Sequence, residues 1–179
     1  RLREYAEKDG RGYPDWATRY LPVVRRLRNC SLTGKCIIEI GANENGFSRF
    51  AHAPVIAVDL SFEHLKAARS TQGVTAVVGD IAALPFRTSS ADLCVCMDTF
   101  EHIPERLRAA ACAEIVRVMK PGAAGVIAFP AGLASARAEA TVRERYRAYT
   151  GRALVWLEEH AAEGLPNAVD LAAEFARLL

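Results

Sequence analysis

Five short, largely apolar runs recur along the chain: Cys36–Ile40, Val55–Val58, Val74–Val78, Ala91–Met97 and Gly125–Phe129. They are continuous rather than alternating and rich in β-branched residues, the pattern of strands covered on both faces. Helical spacing separates most of them. Ser61 is placed to cap a helix with Phe62, Leu65 and Ala68 on one face, closed by Gln72-Gly73. Pro104 opens another whose apolar face is Leu107, Ala111, Ile115, Val118 and Met119, and Lys120-Pro121-Gly122 stops it. Strand and helix in alternation predict βαβ units, and so a doubly wound α/β fold with a mostly parallel sheet, over residues 35–130. Ahead of it, Asp15–Asn29 carries Trp16, Tyr20, Val23, Val24 and Leu27 at near-helical spacing, a covering helix split at Pro22. Behind it come Ala134–Tyr149, Arg152–Glu163 and Ala168–Leu178, helical in pattern, with Gly164 and Asn167 as caps. The expected organisation is residues 1–133 as the sheet domain and 134–179 as a helical cap or substrate-binding segment of the same domain.

Composition narrows the function classes. The 179 residues suffice for one domain with a sizeable core. A formal charge of +2 is too small to argue for nucleic acid or a membrane surface, and no apolar run approaches the ~18 residues of a membrane helix. Arg1–Arg11 is polar and charged, unlike a secretion signal. The five cysteines, Cys30, Cys36, Cys94, Cys96 and Cys112, are odd in number and mostly sit inside apolar runs. That reads as reduced thiols of a cytoplasmic protein, acting as small buried hydrophobes. Cys94 and Cys96, two apart on one strand, share a face.

The candidate chemistry starts at Cys36–Ser48, where a strand ends in Glu39 and turns through Gly41, Asn43 and Asn45, with Phe47–His52 able to start a helix. Strand, tight turn and helix let backbone wrap a ligand at the carboxyl edge of a parallel sheet. Glu39, Asp59 and Asp80 each close or follow one of the first three strands. Asp59 lies 18 residues after Gly41, a separation suited to an acid that accepts hydrogen bonds from a ribose diol; alternatively it caps the next helix.

The segments Ile38–Asn45, Val58–Ser61, Gly79–Phe86, Ala91–Met97, Phe100–Pro104 and Glu114–Gly122, taken in order, resemble the class I S-adenosylmethionine-dependent methyltransferases, in particular methyltransferase type 11. The resemblance covers residues 35–130. It implies a Rossmann-like fold, S-adenosylmethionine as cofactor and a small-molecule or glycan-type acceptor. It places Glu39 and Gly41 at the methionine part of the cofactor, with Ala42 and Asn43 in the same loop. Asp59 falls on the ribose hydroxyls, Leu60 and Ile81 on either side of adenine, Asp80 at its exocyclic amine, and Met97 along the pocket. The family pattern is acid-x-Gly-x-Gly-x-Gly, and here Asn43 and Asn45 stand at the second and third glycines. The family also adds two edge strands after the helix that follows Pro130, and no such strands are legible in this tail.

His102 is the catalytic candidate, a general base oriented by Glu101; the same pair also suits a structural role at a helix entry. His52, His64 and His160 share no spacing that unites them, and the expectation is metal-independent transfer. Arg137, Arg143, Arg145 and Arg147 make Ala134–Tyr149 an arginine-rich helix. It suits either an anionic acceptor or solvent, with Glu139 pairing Arg143 at four residues. Two other functions compete: a non-catalytic scaffold with a degraded pocket, and a nicotinamide-dependent oxidoreductase, against which stands the absence of Gly-x-Gly-x-x-Gly.

Overall fold

A computed structural model describes residues 20, 22–27, 30–43, 46–49 and 51–179. The apolar runs are strands β1 (Ile37–Ile40), β2 (Val55–Asp59), β3 (Val74–Val78), β4 (Ala91–Met97) and β5 (Met119–Ala128). They form one sheet in the order β3-β2-β1-β4-β5, every neighbouring pair parallel. The order reverses between β1 and β4, which puts the switch point of a doubly wound sheet at their carboxyl ends. The central strand β1 is buried throughout, Glu39 included, as a strand covered on both faces.

The strand period of two sorts the core. Ile38, Ile40, Cys94 and Cys96 face one side, against Ala111, Cys112, Ile115 and Val118 of α2 (Glu105–Val118) and Leu171 of α5 (Ala168–Leu178). Ile37, Leu93, Val95 and Met97 face the other, against Phe47, Tyr20 and Leu27. Cys94 and Cys96 therefore share a buried face, and burial pushes the Cys94 thiol up to about 12. Tyr20 and Leu27 supply the covering contact expected of the amino-terminal helix, of which 22–27 are helical. Residues 15–19, 21 and 28–29 of that helix lie outside the described residues.

Ser61 caps α1 (Phe62–Ala68) and Asn167 caps α5 through side-chain oxygens, as expected. The helix expected over Phe47–His52 is instead a single 3-10 turn, Phe47–Arg49. Its first amides are held by a carboxylate, and His52 at φ 48 turns the chain out of helical geometry. Strand β5 also starts earlier than Gly125. Met119 pairs with Ala91 directly at the end of α2, the ladder breaks, and pairing resumes at Leu93 with Ala124. Lys120 in this break places its ammonium 2.8 Å from both Asp92 oxygens, and Asp92 also accepts from Cys36 N at 2.9 Å. The helix stop is thus a tie between β1, β4 and β5.

Past Phe129, α3 (Gly132–Thr150), α4 (Val155–Glu163) and α5 occupy the chain, and β5 remains a sheet edge. α3 begins two residues before the expected boundary at 134 and fully buries none of its side chains. The Glu139–Arg143 pair expected along it does not form. Glu139 meets His160, and Arg147 bonds Glu158 at 2.6 Å, with Arg143 at 3.9 Å from the same residue. Arg108 of α2 donates to the Gly164 carbonyl at 2.6 Å and to Ile103 O at 3.0 Å, fastening the end of α4. Among the described residues no helix is long and apolar enough to cross a membrane.

Candidate functional site

Gly41 leaves β1 at φ 74, and its amide donates to Val58 O at 2.9 Å. A Cβ there would stand 2.7 Å from Thr99 Cγ2, so both the left-handed backbone and the close approach of the β4 exit require glycine. Thr99 Oγ1 donates to Met97 O at 3.0 Å, which fixes this contact across the switch point.

Glu39 is 3% exposed, and its two oxygens accept from the amides of Phe47 and of Ser48, the latter at 2.9 Å. Burial pushes its carboxyl above the ordinary 4.5, against the opposing pull of the hydrogen bonds from Ser48 and Phe47. The acid expected at the methionine part of the cofactor thus folds the loop back upon itself. Gly46 makes that possible, since a Cβ there would lie 3.0 Å from Glu39 Cδ. The sequence pattern gives Gly46 no role of its own; its one signal is a glycine one place beyond the family's third. Asn43 is half-buried in this loop, whereas Glu44 and Asn45 lie outside the described residues.

Asp59 ends β2 with its side chain 15% exposed. Its Oδ1 accepts from Ser61 N at 2.7 Å and lies 3.3 Å from His64 Nδ1. The helix-entry role is therefore filled by one oxygen, and His64, its side chain 62% exposed, is a neighbour of that oxygen. Asp80 follows β3, is exposed, and turns the chain by accepting from Ala82 N at 2.8 Å. Leu60 is 72% exposed, and Ile81 leans on the core. The loop after Asp80 is pinned from α2. Leu84 N donates to Glu114 at 2.7 Å, and Arg117 donates to Leu84 O at 2.9 Å and to Phe86 O at 2.8 Å. The side chains of Ala42 and Met97, expected in the cofactor loop and along the pocket, are buried, at 0% and 4% exposure. Alternation explains Met97, which falls on the same face as Leu93 and Val95.

His102 lies on the 3-10 turn Phe100–His102, three residues past Thr99. The carboxylate on its Nδ1 is Glu159, at 3.2 Å, which corrects the expectation that Glu101 orients it. Its Nε2 faces His160 Nε2 at 3.4 Å, and His160 Nδ1 lies 3.1 Å from Glu139. Burial, then the neighbouring His160, push the His102 pKa below 6.5, against the pull of Glu159. Glu101 and His160 are 2% and 4% exposed. Spacing concealed this cluster, because 58 residues separate the two histidines.

The model of a methyltransferase domain matches residues 38–127, half of the chain. No curated protein sequence matches it. A S-adenosylmethionine-dependent methyltransferase of Thermotoga maritima, described as a possible histamine N-methyltransferase, is 17% identical over 99% of this chain and 79% of its own, with a TM-score of 0.66. Phosphoethanolamine N-methyltransferase 2 of Haemonchus contortus, solved with phosphomonomethylethanolamine and S-adenosylhomocysteine, is 21% identical over 93% of this chain and 37% of its own, at 0.65. A S-adenosylmethionine-dependent methyltransferase of Mesorhizobium loti is 23% identical over 60% of this chain, at 0.51, and the match spans about half of its length, 51%. At these identities the structures establish a shared fold, and the domain match establishes kinship. The chain belongs to the methyltransferase-domain family, among the class I S-adenosylmethionine-dependent methyltransferases, with S-adenosylmethionine as cofactor.

Proposed function

We propose that the chain transfers the methyl group of S-adenosylmethionine to a small-molecule or glycan-type acceptor. One observation carries this: Gly41, Asp59 and Asp80 end or follow three adjacent parallel strands, β1, β2 and β3. Neighbouring strands lie ~4.8 Å apart, so the row spans roughly 10 Å, a fit for a nucleoside extended along the sheet edge. Asp80 meets the adenine amine, Leu60 and Ile81 flank the ring, Asp59 accepts from the ribose hydroxyls, and the Gly41–Asn43 loop borders the methionine part. Carboxylates and backbone carbonyls suit an amine, a diol and a sulfonium.

Bound there, the cofactor supplies a methyl carbon made electrophilic by its sulfonium. The chain's part is to hold an acceptor in line with that carbon, which supplies much of the rate. On the acceptor side we place His102, whose Nδ1 is engaged by Glu159, so that Nε2 is the basic ring atom. The helical segment from residue 134 closes over the acceptor. A formal charge of +2 favours such an acceptor over nucleic acid.

Calorimetric titration with S-adenosylhomocysteine and with NAD tests the reading. S-adenosylhomocysteine binds and NAD does not, and Asp59→Ala weakens binding ~10-fold or more, the loss of hydrogen bonds to a charged group. Failure to bind S-adenosylhomocysteine overturns the proposal. Unaltered affinity in Asp59→Ala removes Asp59 from the ribose.

A further inference from the structure

His102 and His160 arrive from different elements, yet their Nε2 atoms face each other at 3.4 Å. The other nitrogen of each ring is engaged, His102 Nδ1 by Glu159 and His160 Nδ1 by Glu139. A carboxylate on Nδ1 selects the tautomer protonated there and leaves the lone pair on Nε2. Two lone pairs aimed at each other across 3.4 Å repel, so the arrangement calls for positive charge between them. Two nitrogens on a tetrahedral ion, each at ~2.05 Å from it, stand about 3.4 Å apart. A third donor is at hand: a Glu101 oxygen and the two ring nitrogens all lie within 4.8 Å of one another.

We propose that His102 Nε2, His160 Nε2 and the Glu101 carboxylate bind a divalent first-row transition ion. Two imidazoles and one carboxylate suit zinc, cobalt, iron or manganese better than magnesium, which prefers an all-oxygen shell. Glu139 and Glu159 are the outer carboxylates that orient metal-bound imidazoles. Further contacts hold the setting. Trp156 meets the His160 ring edge-on at 5.6 Å between centroids, and Arg108 fastens the end of α4. His160 and Glu101 are buried, whereas the His102 side chain is 36% exposed, so the open coordination position faces out beside His102. Thr99, three residues before His102, touches Gly41, so the backbone of His102 lies within ~11 Å of the cofactor loop. An ion on Nε2 takes the lone pair that His102 would otherwise use as a base. That consequence rests on the methyl-transfer reading; the binding does not.

Cobalt(II) titration of the chelator-stripped full chain, followed by visible absorption, tests the site without cofactor or acceptor. The wild type takes up one Co²⁺ per chain with the bands of a nitrogen–oxygen site, and Zn²⁺ displaces it. His160→Ala abolishes uptake, Glu139→Gln and Glu159→Gln weaken it ~10–100-fold, and His52→Ala leaves it unchanged. Thermal unfolding checks each variant's fold. Since His160 is buried, Glu159→Gln, altered at a side chain 54% exposed, keeps the test decisive if His160→Ala does not fold. The proposal is overturned if the folded wild type binds no stoichiometric Co²⁺, in which case the pair shares a proton. It is equally overturned by thiolate charge-transfer absorption, which would mark a cysteine site, or by binding indifferent to Glu159→Gln and His160→Ala. Any of these results leaves S-adenosylhomocysteine binding, and with it the proposed function, untouched.

Discussion

Replacing Gly46 by alanine puts a methyl group into the space beside the Glu39 carboxylate. The added carbon stands 3.0 Å from Glu39 Cδ and 3.2 Å from the Asn43 carbonyl oxygen. The carbonyl is backbone, so the carboxylate yields first, and it cannot move without loosening the Phe47 and Ser48 amides. Overpacking of this kind costs about 1–3 kcal/mol. A hydrogen bond to a charged group adds about 1.5–3 kcal/mol when lost, and partial relaxation keeps the sum near 2–5 kcal/mol. Against a total stability of about 5–15 kcal/mol that is a large fraction. Urea unfolding of wild type, Gly46→Ala, Glu39→Ala and the double variant reads it as a cycle. With the carboxylate gone, the methyl group has room, so Gly46→Ala costs little in the Glu39→Ala background and the coupling reaches about 2 kcal/mol. Additivity within ~0.5 kcal/mol would refute the reasoning, because it would mean that the methyl group and the carboxylate do not compete for one space.

The same carboxylate sets a pH dependence. Burial holds the folded Glu39 pKa above the unfolded 4.5, so between the two values the folded state binds more protons, and stability falls as pH rises through that window. Stability curves of wild type minus Glu39→Gln show this fall, and a rise there would contradict it. Arg117→Leu frees the Leu84 and Phe86 carbonyls, so hydrogen exchange quickens over residues 81–88 while β1 stays protected; unchanged exchange would show that the guanidinium is not the tie. Disulfide-exchange labelling of the native chain modifies exposed Cys30 first. Cys94 and Cys112, pushed up to about 12 and about 11, and buried Cys96 react only on unfolding; labelling of all four at one rate would refute the core packing.

The sheet was legible because its information is local. Continuous apolar runs named the strands, and alternation within them sorted Ile37 from Ile38 and Cys94 from Val95 onto opposite faces. Helix ends were legible where one residue decides them, as at Ser61 and Asn167 through their side chains and Gly164 through its backbone at φ 73. Glu114 and Arg117 were visible only as part of a motif; the fold gives the reason, a clamp on the Leu84 amide and the Leu84 and Phe86 carbonyls about thirty residues upstream. Gly46 stayed hidden because its requirement is set by a carboxylate from the preceding strand, and β5 began early because Lys120 is drawn back to Asp92.

The tail marks where local information ends. Its three helices could be read from periodicity and caps, but what they carry into the site could not. Glu139, Glu159 and His160 stand on two separate helices and gather beside His102 only because α4 packs on the Phe100–His102 turn. There they supply His102 with a second imidazole, and the two rings with one carboxylate each. The motif segments up to residue 130 hold the row of groups proposed for the nucleoside, whereas the groups that meet on the His102 side come largely from outside them. A family motif thus reads the half proposed for the cofactor, and the neighbours of His102 come from the tail.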